Sequence, residues 1–115
     1  MELNQIPLDK MTVIYPDGEI RTDITPKNQK KFTYEEIYQV IGNIIEPIVL
    51  RYHLPATSPN YKEWKKMNII VDEEGAINGS PYNADATIII KQLLGPNAVS
   101  LFGKVIIIPN KLFPI

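Results

Sequence analysis

The ten prolines constrain the fold of this chain more than any other feature of its sequence. A proline has no backbone N–H and clashes with the preceding helical turn, so it is excluded from helix interiors and central strands. The prolines are spread over the whole chain, at positions 7, 16, 26, 47, 55, 59, 81, 96, 109 and 114. They therefore divide the chain into short elements.

The chain is also rich in isoleucine, with 19 copies among 115 residues. β-Branched side chains pack well on a pleated surface, so this bias favours strands. A chain of this length buries roughly two thirds of its unfolded surface, which is enough for a core without metals or disulfides. Because the sequence has no internal repeat and no linker, we expect one domain over residues 1–115.

The charged and reactive residues argue against several classes of function. Twelve basic and 13 acidic residues give a formal net charge of −1, so no overall field indicates nucleic acid or an anionic membrane as a partner. Lysine outnumbers arginine 10 to 2, which argues against specific DNA recognition. The chain has no cysteine and one histidine, so thiol catalysis and the common zinc sites are not expected. We expect no cofactor and no bound metal.

No targeting segment is evident in the sequence. The first seven residues have neither a basic region nor the apolar stretch of a signal peptide. No apolar run approaches the ~20 residues that span a bilayer. We therefore expect a cytoplasmic protein with no membrane partner.

Apolar runs between turn residues predict the strands of a sheet. They lie over Met11–Tyr15, Glu19–Arg21, Glu46–His53, Met67–Val71 and Lys104–Pro109, with a brief return strand over Ala76–Gly79. The turn Pro16–Gly18 joins the first two as a hairpin, because proline sets the first corner and glycine accepts positive φ at the last. The final strand is apolar enough to be buried on both faces.

Two segments have the boundaries of helices. Thr33 and Glu36 form a capping box, and Gly42 stands where the first helix would end. Asn83 is a suitable N-cap for a second helix that ends at Leu94, although the isoleucines within it also favour a strand. Since serine caps a helix about as well as asparagine, Asn83→Ser is expected to preserve stability.

These elements predict an α+β fold, with a mainly antiparallel sheet of about four to five strands and two helices on one face. The end of the chain is unusually apolar, with Leu112, Phe113 and Ile115 among the last residues. Burial of each of these side chains stabilises the fold by roughly 1.5–3 kcal/mol relative to exposure in water, so we expect them to dock as an extended strip. Their own core is the favoured location, and a second subunit is the alternative.

Three stretches of the sequence resemble a known family. A helix end and strand over 40–50, an acidic turn and loop over 71–75 and 79–87, and a closing strand over 101–108 have the order and spacing of its motifs. They are similar to the domain-of-unknown-function family numbered 3846, small proteins common in bacteriophages and bacterial mobile elements. The resemblance covers roughly residues 10–110. It implies an origin but no activity, because the family has no agreed one.

Two groups of side chains are candidates for acid–base or metal chemistry. The cluster Asp72, Glu73 and Glu74 lacks the ligand spacing of a calcium loop, so a solvated turn is its simpler interpretation. His53 is the one conventional acid–base side chain, and no serine or cysteine nucleophile has the pattern to pair with it. Both groups stay candidate contacts for a ligand or partner.

Two further positions are candidate binding residues. Asn83, next to Tyr82, either caps its helix or contacts a ligand through its side-chain amide. Trp64 lies among lysines and would offer a stacking surface for single-stranded nucleic acid, unless it anchors the loop to the core.

The hypothesis that these observations favour is a non-enzymatic binding module of phage or mobile-element type, which binds a host protein or a small ligand. One alternative is a small enzyme whose site, with His53 and residues 72–74, is completed across an oligomer interface. Another is a weak binder of single-stranded nucleic acid at Trp64. The sequence leaves a homo-oligomer open.

Overall fold

The computed structural model describes residues 2–58 and 60–114, and five strands and three α-helices lie within them. They are β1 (Thr12–Ile14), β2 (Ile20–Arg21), α1 (Tyr34–Ile41), β3 (Ile45–Val49), α2 (Tyr61–Trp64), β4 (Met67–Asp72), α3 (Ala84–Leu94) and β5 (Val105–Pro109). Single turns of 3-10 helix occur at Leu3–Gln5, Leu50–Tyr52 and Asn110–Leu112. The elements are short, as the prolines predict, and the α+β class is confirmed.

The strands form one antiparallel sheet in the order β2-β1-β5-β4-β3. The last strand of the chain is the middle strand of the sheet, and every residue of β5 is buried. The hairpin of β1 and β2 forms one edge, and β3 forms the other. Since β5 lacks exposed positions on either side, both faces of the sheet have to be covered.

The two long helices lie on opposite faces of this sheet. On one face, Val105 and Ile107 belong to a cluster with Ile89 and Leu93 of α3, which we call the α3-side core. On the other face, Ile106 and Ile108 of β5 belong to a cluster with Ile37 and Ile41 of α1, together with Phe32 and Phe113; we call it the α1-side core. The prediction that both helices share one face is therefore wrong. A central strand that is apolar on both faces needs cover on each, and here α3 and α1 provide it.

Capping residues set the ends of α1 as the sequence predicts. The Thr33 hydroxyl accepts the Glu36 N–H at 3.1 Å, and the Glu36 carboxylate accepts the Thr33 N–H at 2.8 Å. Gly42 ends the helix with φ of 82°, and its N–H donates to the Tyr38 carbonyl. The positive φ explains why a glycine stands there.

The predicted return strand over Ala76–Gly79 does not form, and β3 ends earlier than predicted. Residues 76–79 form turns, because Asn78 N–H donates to the Glu74 carbonyl and Ser80 N–H to the Gly75 carbonyl, within the same loop. β3 ends at Val49, well before His53. Leu50 is fully buried, and its carbonyl accepts hydrogen bonds that begin a turn.

The apolar end of the chain docks on its own core, as expected for Leu112 and Phe113. Phe113 is 5% exposed and belongs to the α1-side core, and its ring meets Tyr34 edge-on at 5.9 Å. The Leu112 carbonyl accepts the Phe32 N–H at 2.9 Å. The segment is a 3-10 turn over Asn110–Leu112 rather than an extended strip, and Ile115 lies outside the described residues.

Among the described helices, none combines the length and apolarity needed to cross a bilayer.

Candidate functional site

Among the residues that the structure describes, no strand lies on the outer edge of β3, so backbone groups there are unpaired. Glu73 N–H donates to the Ile44 carbonyl. Because backbone groups alternate in direction along a strand, the N–H and carbonyl groups of Glu46 and Ile48 also point toward β4. The backbone groups of Ile45, Pro47 and Val49 then point away from the sheet. Pro47 stands where its missing N–H costs no bond within the sheet, which is the usual place for a strand proline.

A groove runs beside this edge on the face covered by α3. Two adjoining cavities, of about 530 and 150 Å³, share Glu46, Ile48 and Val99 as lining residues, and we call them together the edge groove. Its larger end is lined by Pro47, His53, Ile90, Leu94, Asn97 and Ala98, and its smaller end by Val71, Asp72, Glu73, Ala76, Ser100, Leu101 and Phe102. Most of these side chains are apolar.

The wall of the edge groove opposite β3 is a loop held at both ends. Gly95, with φ of 106°, ends α3, and its carbonyl accepts the Ala98 N–H at 3.1 Å. At the far end, Leu101 N–H donates to the Thr87 hydroxyl at 2.9 Å, and the Leu101 carbonyl accepts the Asn83 N–H. Between these anchors Val99 is left 64% exposed. The wall is therefore built into the fold.

Asn83 acts within the protein interior. Its side-chain oxygen accepts the Ala86 N–H, which confirms the N-cap. Both hydrogens of its side-chain amide are also used, in bonds of 2.9 Å to the carbonyls of Ile14 and Gly103. The residue is 0% exposed. The fold alone explains it, and serine could not replace the two amide bonds.

The smaller end of the edge groove is acidic. Glu46, Asp72 and Glu73 line it, and neither cavity is lined by a lysine or an arginine. Asp72 also shapes its own turn, because its carboxylate accepts the Glu74 N–H and the Asn43 side-chain amide. Over the described part of the chain, no group of three or more potential ligand side chains is placed to hold a metal ion.

The predicted site residues are partly brought together by the structure. His53 and the pair Asp72 and Glu73 line opposite ends of the edge groove, with the ~13 Å length of β3 between them. Tyr82 lies elsewhere, 49% exposed, with its ring against Phe102.

Trp64 is 1% exposed and packs in the α3-side core, so it anchors its loop to the core, which was one of its two interpretations. It offers no open face on which a base could stack.

The groove residues Ile48, Leu94 and Val99 were not predicted. Pro47 inside an apolar strand was the signal for an open edge, since a proline within a strand, away from its ends, usually marks an edge strand.

Comparisons with known proteins give no assignment: no family model matches this chain, and no curated protein or solved structure is significantly similar to it.

Proposed function

We propose that this chain is a non-enzymatic binding module of phage or mobile-element type, and that it binds a segment of a host protein in the edge groove. The observation that carries the proposal is the apolar groove beside an unpaired strand edge. The phage or mobile-element origin rests on the resemblance to family 3846.

The form of the groove favours a protein segment over a small molecule. Small-molecule sites enclose most of the ligand surface. Here the walls are exposed: Glu46, Pro47 and His53 on one side and Val99 on the other are open to solvent. A shallow channel that follows a strand is the shape that an extended chain fills.

A selection from displayed random linear peptides tests this proposal. Val99→Asp puts a charge on the apolar wall, and we expect it to weaken binding of the selected peptides about tenfold or more, since burying an unpaired charge at an interface is costly. Ile77→Asp is the matched control, because Ile77 is 84% exposed and lines neither cavity. Thermal melts check that both variants are folded.

Two results would contradict the proposal. One is a selection that yields no peptide preferring the wild-type protein over Val99→Asp. The other is equal loss of binding in the Ile77→Asp control, which would place the binding surface elsewhere.

A further inference from the structure

Resting on the proposed function, we infer that the bound segment adds to the sheet as a strand alongside β3, and that it carries an apolar and a basic side chain two positions apart. The inference concerns how the edge groove recognises its partner. It follows from the backbone groups, the side-chain alternation and the charge along β3.

The backbone edge of β3 can hold a strand. Ile45 presents a free N–H and a free carbonyl at the outer edge, Pro47 a carbonyl only, and Val49, the N-cap of the Leu50–Tyr52 turn, an N–H. An added strand pairs with all three residues and forgoes one bond at Pro47. Main-chain bonds of this kind supply affinity without regard to sequence.

Pro47 also disfavours a second copy of this chain as the occupant. Were two β3 strands to pair antiparallel over their whole length, Pro47 would face Pro47 at the centre of the register. Both central hydrogen bonds would then be absent, since proline has no N–H to donate. A partner without proline at that position loses one bond there instead of two. This asymmetry favours a different chain.

The alternation of a strand decides which partner side chains enter the groove. Glu46 and Ile48 project on the face covered by α3, where the groove lies. Partner residues directly opposite them project on the same face, with Cβ atoms about 4.5–5.5 Å away. One residue lies between these two partner residues, just as Pro47 lies between Glu46 and Ile48.

The partner positions opposite Ile48 and Glu46 have different surroundings. The partner side chain opposite Ile48 meets Ile90, Leu94 and Val99, so it is apolar. The partner side chain opposite Glu46 meets a carboxylate, with Asp72 and Glu73 lining the same end of the groove. Because no lysine or arginine lines either cavity, a basic side chain complements this end.

Charge reversal tests the predicted sequence pattern. The selected peptides should share a lysine or arginine two positions from an apolar residue. Glu46→Lys should weaken their binding about three- to tenfold, because an attraction at an exposed site becomes a repulsion. Glu19→Lys makes the same change of charge on the β1–β2 hairpin, at the other edge of the sheet, and should leave binding unchanged.

Amide hydrogen exchange tests the strand pairing. On saturation with a selected peptide, the amides of Ile45 and Val49 should exchange at least about tenfold more slowly, since they become paired. The amides of Glu46 and Ile48 already face β4 and serve as internal references.

The outcomes separate the two proposals. If peptides bind and lose affinity in Val99→Asp while Ile45 and Val49 exchange as before, strand addition is wrong and the groove still binds protein. The predicted pattern is wrong if Glu46→Lys has no effect on that binding. A shift of the protein alone to twice its mass, with Ile45 and Val49 protected, would instead identify a second copy as the occupant.

Discussion

Asn83 joins three separate parts of the chain through one side chain. Its oxygen holds the first turn of α3, and its amide holds the end of β1 at Ile14 and the approach to β5 at Gly103. Asn83 itself is 0% exposed, and its bonds to Ile14 and Ala86 are buried, where water cannot replace a lost partner, whereas the bond to Gly103 is part-buried.

We therefore predict that Asn83→Ser destabilises the protein. Serine retains the cap but leaves the Ile14 and Gly103 carbonyls without their donors, and the buried Ile14 carbonyl alone costs about 1–3 kcal/mol when it is left unpaired. Chemical denaturation of both proteins measures the difference. A stability equal to that of the wild type would mean that capping is the whole role of Asn83, as its sequence position alone suggests.

At the scale of single elements, α1 is held by a charge-assisted cap. Hydrogen bonds from the Thr33 N–H, followed by the Lys27 N–H and the Thr33 hydroxyl, hold the pKa of Glu36 below its ordinary value of 4.5. The folded state therefore binds a proton at Glu36 less readily than the unfolded state. This contribution to stability is complete above about pH 5 and is lost as the pH falls through the lowered pKa.

The corresponding prediction compares Glu36→Gln with the wild type. Glutamine retains the capping-box geometry but carries no charge, so the variant should melt lower at neutral pH, and the difference should disappear as the solution is acidified. Thermal melts at a series of pH values from neutral to strongly acidic measure it. Glu35→Gln is the control, because Glu35 also lies in the first turn but outside the capping box. A pH-independent difference would contradict the role of the charge.

Local signals explain why the helix ends were predictable and the groove was not. The caps at Thr33 and Asn83 depend on residues within a few positions, and both were correctly predicted. The edge groove joins β3 to the loop after α3, about fifty residues later in the chain, and no local pattern encodes that contact. The sequence of β5 did indicate where the helices lie, because a strand that is apolar on both sides requires cover on both faces of the sheet.

At the scale of the whole molecule, the end of the chain closes the α1-side core. Phe113 packs with residues of the sheet and of α1 and is almost completely buried. Its neighbour Leu112 bonds to Phe32 through the backbone, so the segment fastens the start of α1 to the sheet.

Phe113→Ala should therefore lower the free energy of unfolding by about 3–5 kcal/mol, as expected for a buried aromatic side chain. The mass in solution should not change, because the contact lies within one chain. Leu8→Ala is the control, since Leu8 is 38% exposed. Denaturation and light scattering measure the two quantities. A change of mass in Phe113→Ala would show that the segment also serves an interface.

The position of β5 has a consequence for the order of folding. Within residues 2–58 and 60–114, the hairpin of β1 and β2 and the pair of β3 and β4 are hydrogen-bonded into one sheet only through β5. Each of these two-stranded units is marginally stable alone. During synthesis, at roughly 5–20 residues per second, both emerge before the strand that links them. The sheet therefore assembles in a late step dominated by contacts distant in sequence, and until then the apolar side chains of both units lack their cover and are exposed to aggregation.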